Sequence, residues 1–227
     1  MKTRKMTKIN AFIITAAGNS TRMGTGDKKE YRLLNKKPVI FFSIEAALKT
    51  NLFSVIAVSL PHADLSEWQE KIMSKYADSN CCFVFVSGGK TRQESVKNAL
   101  IGIENHAPDF VLIHDGARPW VTPELIESVL KKTSATGACV PIIPSVDAVK
   151  RILDDGKVIE HLSKYEYVSA QTPQGFSYPL IKKAHLEYVN SDRLFFDDAE
   201  MVAAMGKDVF FVKGDARNRK ITFGWDL

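Results

Sequence analysis

The chain has 227 residues, 45% of them hydrophobic and 25% charged, with a formal net charge of +5. That suits one soluble globular domain spanning 1–227, with room for a small appendage and an ample core. No apolar run approaches the ~18 residues that a membrane-spanning helix needs, so no membrane partner is expected. The basic start, "MKTRKMTKINAFIITAAG", carries the charge of a signal peptide, but polar residues follow its short apolar run at once, and a first strand is the better reading. Cys81, Cys82 and Cys139 lack metal-ligand spacing and read as reduced thiols of a cytoplasmic protein. The basic residues are scattered, which argues against nucleic acid as a partner and for a pocket that takes an anionic small molecule.

In chain order, apolar runs at 11–16, 53–60, 81–86, 110–114, 137–143 and 209–212 read as strands. Helical patterns lie near 38–49, 64–76, 92–103, 122–132, 178–189 and 198–205. Near-continuous apolar strands with helical crossovers predict an α/β fold, a mainly parallel, Rossmann-like sheet with helices on both faces. Residues 144–172 break the rhythm: two alternating runs flank Asp154-Asp155-Gly156, a hairpin turn. An exposed arm with Val and Ile needs a partner, so this inserted segment is a candidate for homodimer contacts.

Ligands of such sheets bind at the carboxyl ends of the strands, which directs attention to four loops. The first, "TAAGNSTRMGTGDKKEY" from Thr15 to Tyr31, completes neither a P-loop nor a dinucleotide fingerprint. Its small residues Ala16, Ala17 and Gly18 let a ligand approach the backbone, and Arg22 and a following lysine supply fixed positive charge; a Gly-rich turn with solvated charges explains it equally well. In the second, "SGGKTRQES", Thr91 and Glu94 fit a capping box, leaving Gly88, Gly89, Arg92 and Ser95 to meet a base and a sugar. The third, "DGARP", places Asp115 past a buried strand as a Mg²⁺ ligand, direct or through water, or as half of an Asp–Arg turn pair with Arg118. The last, "GDARNRK", offers Arg217, Arg219 and Lys220 to an anion. The five histidines show no metal or triad spacing, His114 reads as packed at a strand end, and Asp197-Asp198 reads as a helix start. The lack of a catalytic base fits phosphoryl chemistry, in which a substrate phosphate is itself the nucleophile.

Taken together, "AAGNSTRMG…KKEY", "GGKTRQESVKNAL", "HDGARPWV", "PSVDAVKR", "QTPQGF", "DDAEMV" and "GDARNRKIT" resemble the 2-C-methyl-D-erythritol 4-phosphate cytidylyltransferases, in register from Ala16 to Thr222. The resemblance implies a nucleotidyltransferase fold with a dimerising arm and the reaction of CTP with a polyol phosphate, methylerythritol phosphate, to give CDP-methylerythritol and diphosphate with Mg²⁺. It puts Arg22 and Lys29 on the transition-state cations, with Lys28, where the family usually has Pro, a bystander. Ala16, Ala17, Gly18, Gly89, Lys90, Ser95, Asp115 and Gly116 fall on the cytidine-nucleotide site, and Lys220 and Lys164 on the residues that position the acceptor phosphate.

Three departures stand on the acceptor side. Lys164 replaces an Arg and so loses bidentate phosphate geometry. Phe196 replaces a Thr, and "TFGWDL" replaces the usual "TTPEDL". They admit as alternatives a cytidylyltransferase for another polyol phosphate, such as ribitol 5-phosphate, and a CTP-binding scaffold.

Overall fold

The strand Asn10–Thr15, β1, runs through the middle of the molecule, and its sequence explains why: Ala11, Phe12, Ile13 and Ile14 are all fully buried. Strand geometry sends successive side chains to opposite faces. Phe12 and Ile14 therefore enter one core, and Ala11 and Ile13 the other. The computed structural model describes residues 8–18, 28–189, 191 and 193–226; Arg22 lies outside them.

On one side of β1 lies the parallel β4 (Val55–Leu60), followed by the parallel edge strand β5 (Cys82–Ser87). On its other side the parallel β6 (Phe110–Asp115) leads to an antiparallel strand, β11 (Gln174–Ser177). β7 (Ala138–Pro144) runs antiparallel to β11 and carries β10 (Val168–Ala170) antiparallel and β12 (Phe210–Lys213) parallel. A minor hairpin, β2 (Leu33–Leu34) with β3 (Lys37–Pro38), follows the first loop.

Helices α1 (Val39–Thr50), α2 (Leu65–Lys75) and α4 (Pro123–Thr136) cover the Phe12 face. Helices α3 (Arg92–Gly102), α5 (Tyr178–Glu187) and α6 (Asp198–Ala204) cover the Ala11 face. Every predicted strand and helix is present, with α4 reaching Thr136 rather than 132. The expected mainly parallel sheet, helices on both faces, is the architecture found. Of its antiparallel members, β11 carries no sequence signal, because only Phe176 of "QGFS" is a large apolar residue.

Of the predicted arm, 144–172, β8 (Val149–Ile152) pairs with β9 (Val158–Leu162) in a two-stranded sheet of its own, whereas β10 joins the central sheet and Gln171 and Thr172 are buried. The hairpin turn closes through Leu153 N–H donating to Lys157 O at 2.9 Å, with Gly156 at φ +88°. Large apolar side chains stand open on or beside it, Val146 at 91% and Tyr165 at 87% exposure.

Because β1, β4, β5, β6 and β12 point the same way, the loops after Thr15, Ser87, Asp115 and Lys213 emerge on one edge of the sheet. That shared edge is where the four loops singled out in the sequence meet.

Candidate active site

A cleft opens on this edge, walled by Thr15, Ala17 and Gly18 after β1, by Lys29 and Glu30, by Gly89 to Arg92 with Ser95, and by Asp115, Ala117 and Lys220. Each wall is held by its own local chemistry.

Lys29 and Glu30 stand in a turn in which Lys28 O accepts from Tyr31 N–H at 2.8 Å and Arg32 N–H at 3.2 Å. Glu30 O accepts from Ile40 N–H at 2.9 Å, which fastens the turn to α1. Tyr31 stacks on Trp68 at 4.0 Å and 14°, and Phe41 meets Trp68 edge-on at 6.1 Å. Lys28 Nζ reaches Asp64 Oδ2 at 2.7 Å. Lys28, expected to be a bystander, is thus part of the anchor that presents Lys29.

The second loop approaches the first so closely that a Cβ on Gly88 would lie 2.1 Å from Ala17 Cβ. Only the bare glycine lets the two walls touch. Thr91 Oγ1 caps α3 by accepting from Glu94 N–H at 3.1 Å. The reciprocal half of the box lands one residue early: Glu94 Oε2 accepts from Lys90 N–H at 2.6 Å. Ser95 Oγ accepts from Gly89 N–H at 3.1 Å and donates to Thr91 O at 2.9 Å, so its hydroxyl shapes the loop backbone.

Asp115, at the end of β6, is buried among three cations. Lys220 Nζ is 2.8 Å from Oδ2, Arg92 Nε 3.1 Å from Oδ1, and Arg118 Nε 3.6 Å from Oδ2. Burial opposes ionisation, but Lys220, Arg92 and Arg118 overcome it and hold the carboxyl well below the usual range. Behind it, His114 Nε2–H donates to Arg118 O at 3.2 Å, which leaves Nδ1 to accept from the Thr172 hydroxyl at 3.1 Å. Thr172 Oγ1 in turn accepts from Asp115 N–H at 3.1 Å. Burial pushes the imidazole down to about 4, so this strand-end histidine is a neutral strut.

Of the charged side chains on the walls, Lys29, Lys90, Arg92 and Lys220 are cations and Glu30 and Asp115 carboxylates. Burial pushes Glu30 up to about 7 against the lowering effect of Lys29. The cleft is therefore a net cationic site at the strand ends, suited to phosphates. Of the two forms of Mg²⁺ ligation expected of Asp115, direct or through water, the direct one does not suit it, because both its oxygens already meet cations that a divalent ion would have to displace. Among the described residues no group of three His, Cys, Asp or Glu side chains offers another metal site.

The family model of 2-C-methyl-D-erythritol 4-phosphate cytidylyltransferase matches residues 10–227. The chain belongs to this family. Its cytidylyltransferase relatives include a protein of Bacillus mycoides (strain KBAB4), 36% identical over 95% of this chain and 93% of its own length. Another, from Thermotoga neapolitana, is 34% identical over 96% of this chain and 94% of its own. The structure is similar to that of the 4-diphosphocytidyl-2C-methyl-D-erythritol synthase of Anaerococcus prevotii, with TM-score 0.84, 26% identity, and coverage of 96% and 94% of the two chains.

Within this cytidylyltransferase chain, the cleft brings together Ala17, Gly18, Lys29, Gly89, Lys90, Ser95, Asp115 and Lys220 of the residues expected there. Ala16 and Gly116 stand behind the wall: Ala16 N–H donates to Ser59 O at 2.9 Å, and Gly116 N–H to Thr15 O at 2.9 Å. Lys164 is exposed on the turn after β9, its Nζ 6.0 Å from the centre of the Tyr165 ring, and is not among the lining residues. Sequence reasoning missed Glu30, whose place between Lys29 and Tyr31 in the quoted motif was the available signal.

Folded Glu30 holds its proton up to about 7, whereas the unfolded group releases it near 4.5. Between those values folding takes up a proton, so this group's contribution to stability falls as pH rises. Glu30→Gln should therefore raise the melting temperature relative to wild type by a margin that grows from pH 4.5 to 8. A margin that stays constant over that range in a thermal melt series would contradict the assignment.

Proposed function

We propose that the chain transfers a cytidylyl group from CTP to 2-C-methyl-D-erythritol 4-phosphate, giving CDP-methylerythritol and diphosphate for isoprenoid precursor synthesis. The observation that carries this reading is the cationic cleft lined by Lys29, Lys90, Arg92 and Lys220, the last two held by Asp115, in a chain of this family.

In this reading an acceptor phosphate oxygen attacks the α-phosphorus of CTP in line, the P–O bond to the β-phosphate breaks, and diphosphate leaves with the electron pair. Negative charge grows on the equatorial and leaving oxygens, where a preplaced ammonium stabilises it without a proton transfer. Lys29 fits that role because its turn is anchored to α1 and α2 before substrate arrives. Ala17, Gly18 and the backbone from Gly89 leave room for the nucleotide. Lys220, held by Asp115 at 2.8 Å, keeps a second charge for the acceptor phosphate. Arg22 joins Lys29 on the strength of the sequence resemblance alone. Mg²⁺ enters this reading as the counter-ion of the triphosphate.

We place the reaction in a homodimer formed through the 144–172 arm. Lys164 stands on that arm, away from the cleft of its own chain, so a role at the acceptor phosphate requires that a second copy supply it. The exposed Val146 and Ile152 beside the same hairpin, 91% and 65%, give the arm an apolar surface to bury. Cys81, Cys82 and Cys139 form no disulfide, and no helix among the described residues is long and apolar enough to cross a membrane; both suit a cytoplasmic enzyme.

Diphosphate release from CTP is expected with methylerythritol phosphate and not with ribitol 5-phosphate; the reverse preference would replace the acceptor named here. Lys29→Ala and Arg22→Ala should each lower kcat by about 10²–10³ with the melting temperature preserved. Mixing Lys29→Ala and Lys164→Ala proteins should restore up to roughly a quarter of wild-type activity, because half of the dimers formed are mixed and each mixed dimer holds one complete site of two. No recovery on mixing would assign Lys164 to its own chain, and wild-type activity of Lys164→Ala alone would leave it no role.

A further inference from the structure

Arg92 belongs to a line of charge that leaves the cleft. Its Nε donates to Asp115 Oδ1 at 3.1 Å, and its Nη1 donates to Asp198 Oδ2 at 2.7 Å. Asp198 lies in the first turn of α6, fully buried, and its other oxygen is 3.0 Å from Nε2 of the buried His185 on α5. An ionised carboxylate can only accept, so the His185 proton sits on Nε2. Lys220, Asp115, Arg92, Asp198 and His185 thus form a continuous series of alternating partners from the C-terminal loop to the helices under the sheet.

The far end of this series is rigid. Asp197 Oδ1 caps α6 by accepting from Glu200 N–H at 2.8 Å, while its Oδ2 accepts from Gln174 Nε2 at 2.7 Å. Gln174 Oε1 accepts from Ala199 N–H at 3.1 Å. Gln174 is on β11, in the central sheet, so Asp198 is a fixed post and not a surface carboxylate. Burial disfavours its charge, yet Arg92 and the His185 hydrogen bond keep its carboxyl below the ordinary value.

A guanidinium with one anchor at the mouth of a phosphate cleft would turn toward whichever anion came nearest. Two carboxylates on opposite sides remove that freedom, and they also set how strongly Arg92 draws on Asp115. If Asp198 lost its charge, Arg92 would bind Asp115 more strongly and compete with Lys220 for its carboxylate.

We infer that Asp198 is a positioning residue of the nucleotide site: it holds Arg92 in place against Asp115, leaves the second Asp115 oxygen to Lys220, and is itself oriented by His185. The ligand, CTP, follows from the proposed function on which this rests.

The test uses the full-length chain and measures CTP binding by calorimetry, with KM and kcat for diphosphate release alongside. Asp198→Asn should weaken CTP binding and raise its KM about tenfold, with a smaller effect on kcat, and Arg92→Ala should do at least as much. In the Arg92→Ala background, Asp198→Asn should add nothing. Wild-type affinity in Asp198→Asn, or losses that multiply in the double variant, would overturn the inference, since a merely structural role weakens either background alike. If Asp198→Asn does not fold, His185→Leu carries the same comparison, with a loss expected when Arg92 is present and none when it is absent; equal losses overturn it. A wild-type chain that binds no CTP would sink the proposed function itself, an outcome separate from any ranking of variants.

Discussion

Asp115 is a carboxylate with almost no access to water, and the order of the surrounding loops follows from the need to compensate its charge. It ends a strand buried on both faces, where the backbone gives it no freedom to turn outward. An unpaired charge in that position would protonate or unfold its surroundings; here Lys220, Arg92 and Arg118 arrive from three segments to meet it. Removing one partner from such a buried cluster typically costs on the order of 3–5 kcal/mol, comparable to a large part of a domain's net stability. The same compensation that keeps the fold intact brings Arg92 and Lys220 to the wall of the cleft.

The remaining walls are fitted to that centre by close contact more than by charge. Gly88 against Ala17 brings the second loop onto the first, and Ser95 and Glu94 spend their polar groups on the loop backbone. The Tyr31–Trp68 stack and the Lys28–Asp64 pair hold the far wall. Lys29 is thereby presented from a turn that is fixed at both ends, which is what stabilisation of a short-lived charge requires: the dipole or ion must be in place before the charge develops.

How much of this could be read in the residues depends on how local each signal is. Strands such as "AFII" and "VIAVSL" announce themselves because both faces are buried and the apolar run is unbroken. β11 stays silent because "QGFS" owes its place to the neighbours on either side and to Gln174 meeting α6. Asp115 and Lys220 were legible as a strand-end acid and a loop cation, but their 2.8 Å contact was not, since 105 positions of chain (220 minus 115) separate them. The Arg92–Asp198 bond spans 106 positions and was hidden for the same reason. The cations that hold Asp115 were out of sight in the same way. Lys28 looked idle while Asp64 was hidden.

The arm has a different standing from the rest of the molecule. Its hairpin forms a sheet of its own and gives no side chain to the two buried clusters. Substitutions there escape the packing and charge constraints that fix the cleft. Lys164 sits in this region. Sequence change in the arm is therefore uncoupled from the charge balance around Asp115, so the two parts of the chain are free to vary at different rates.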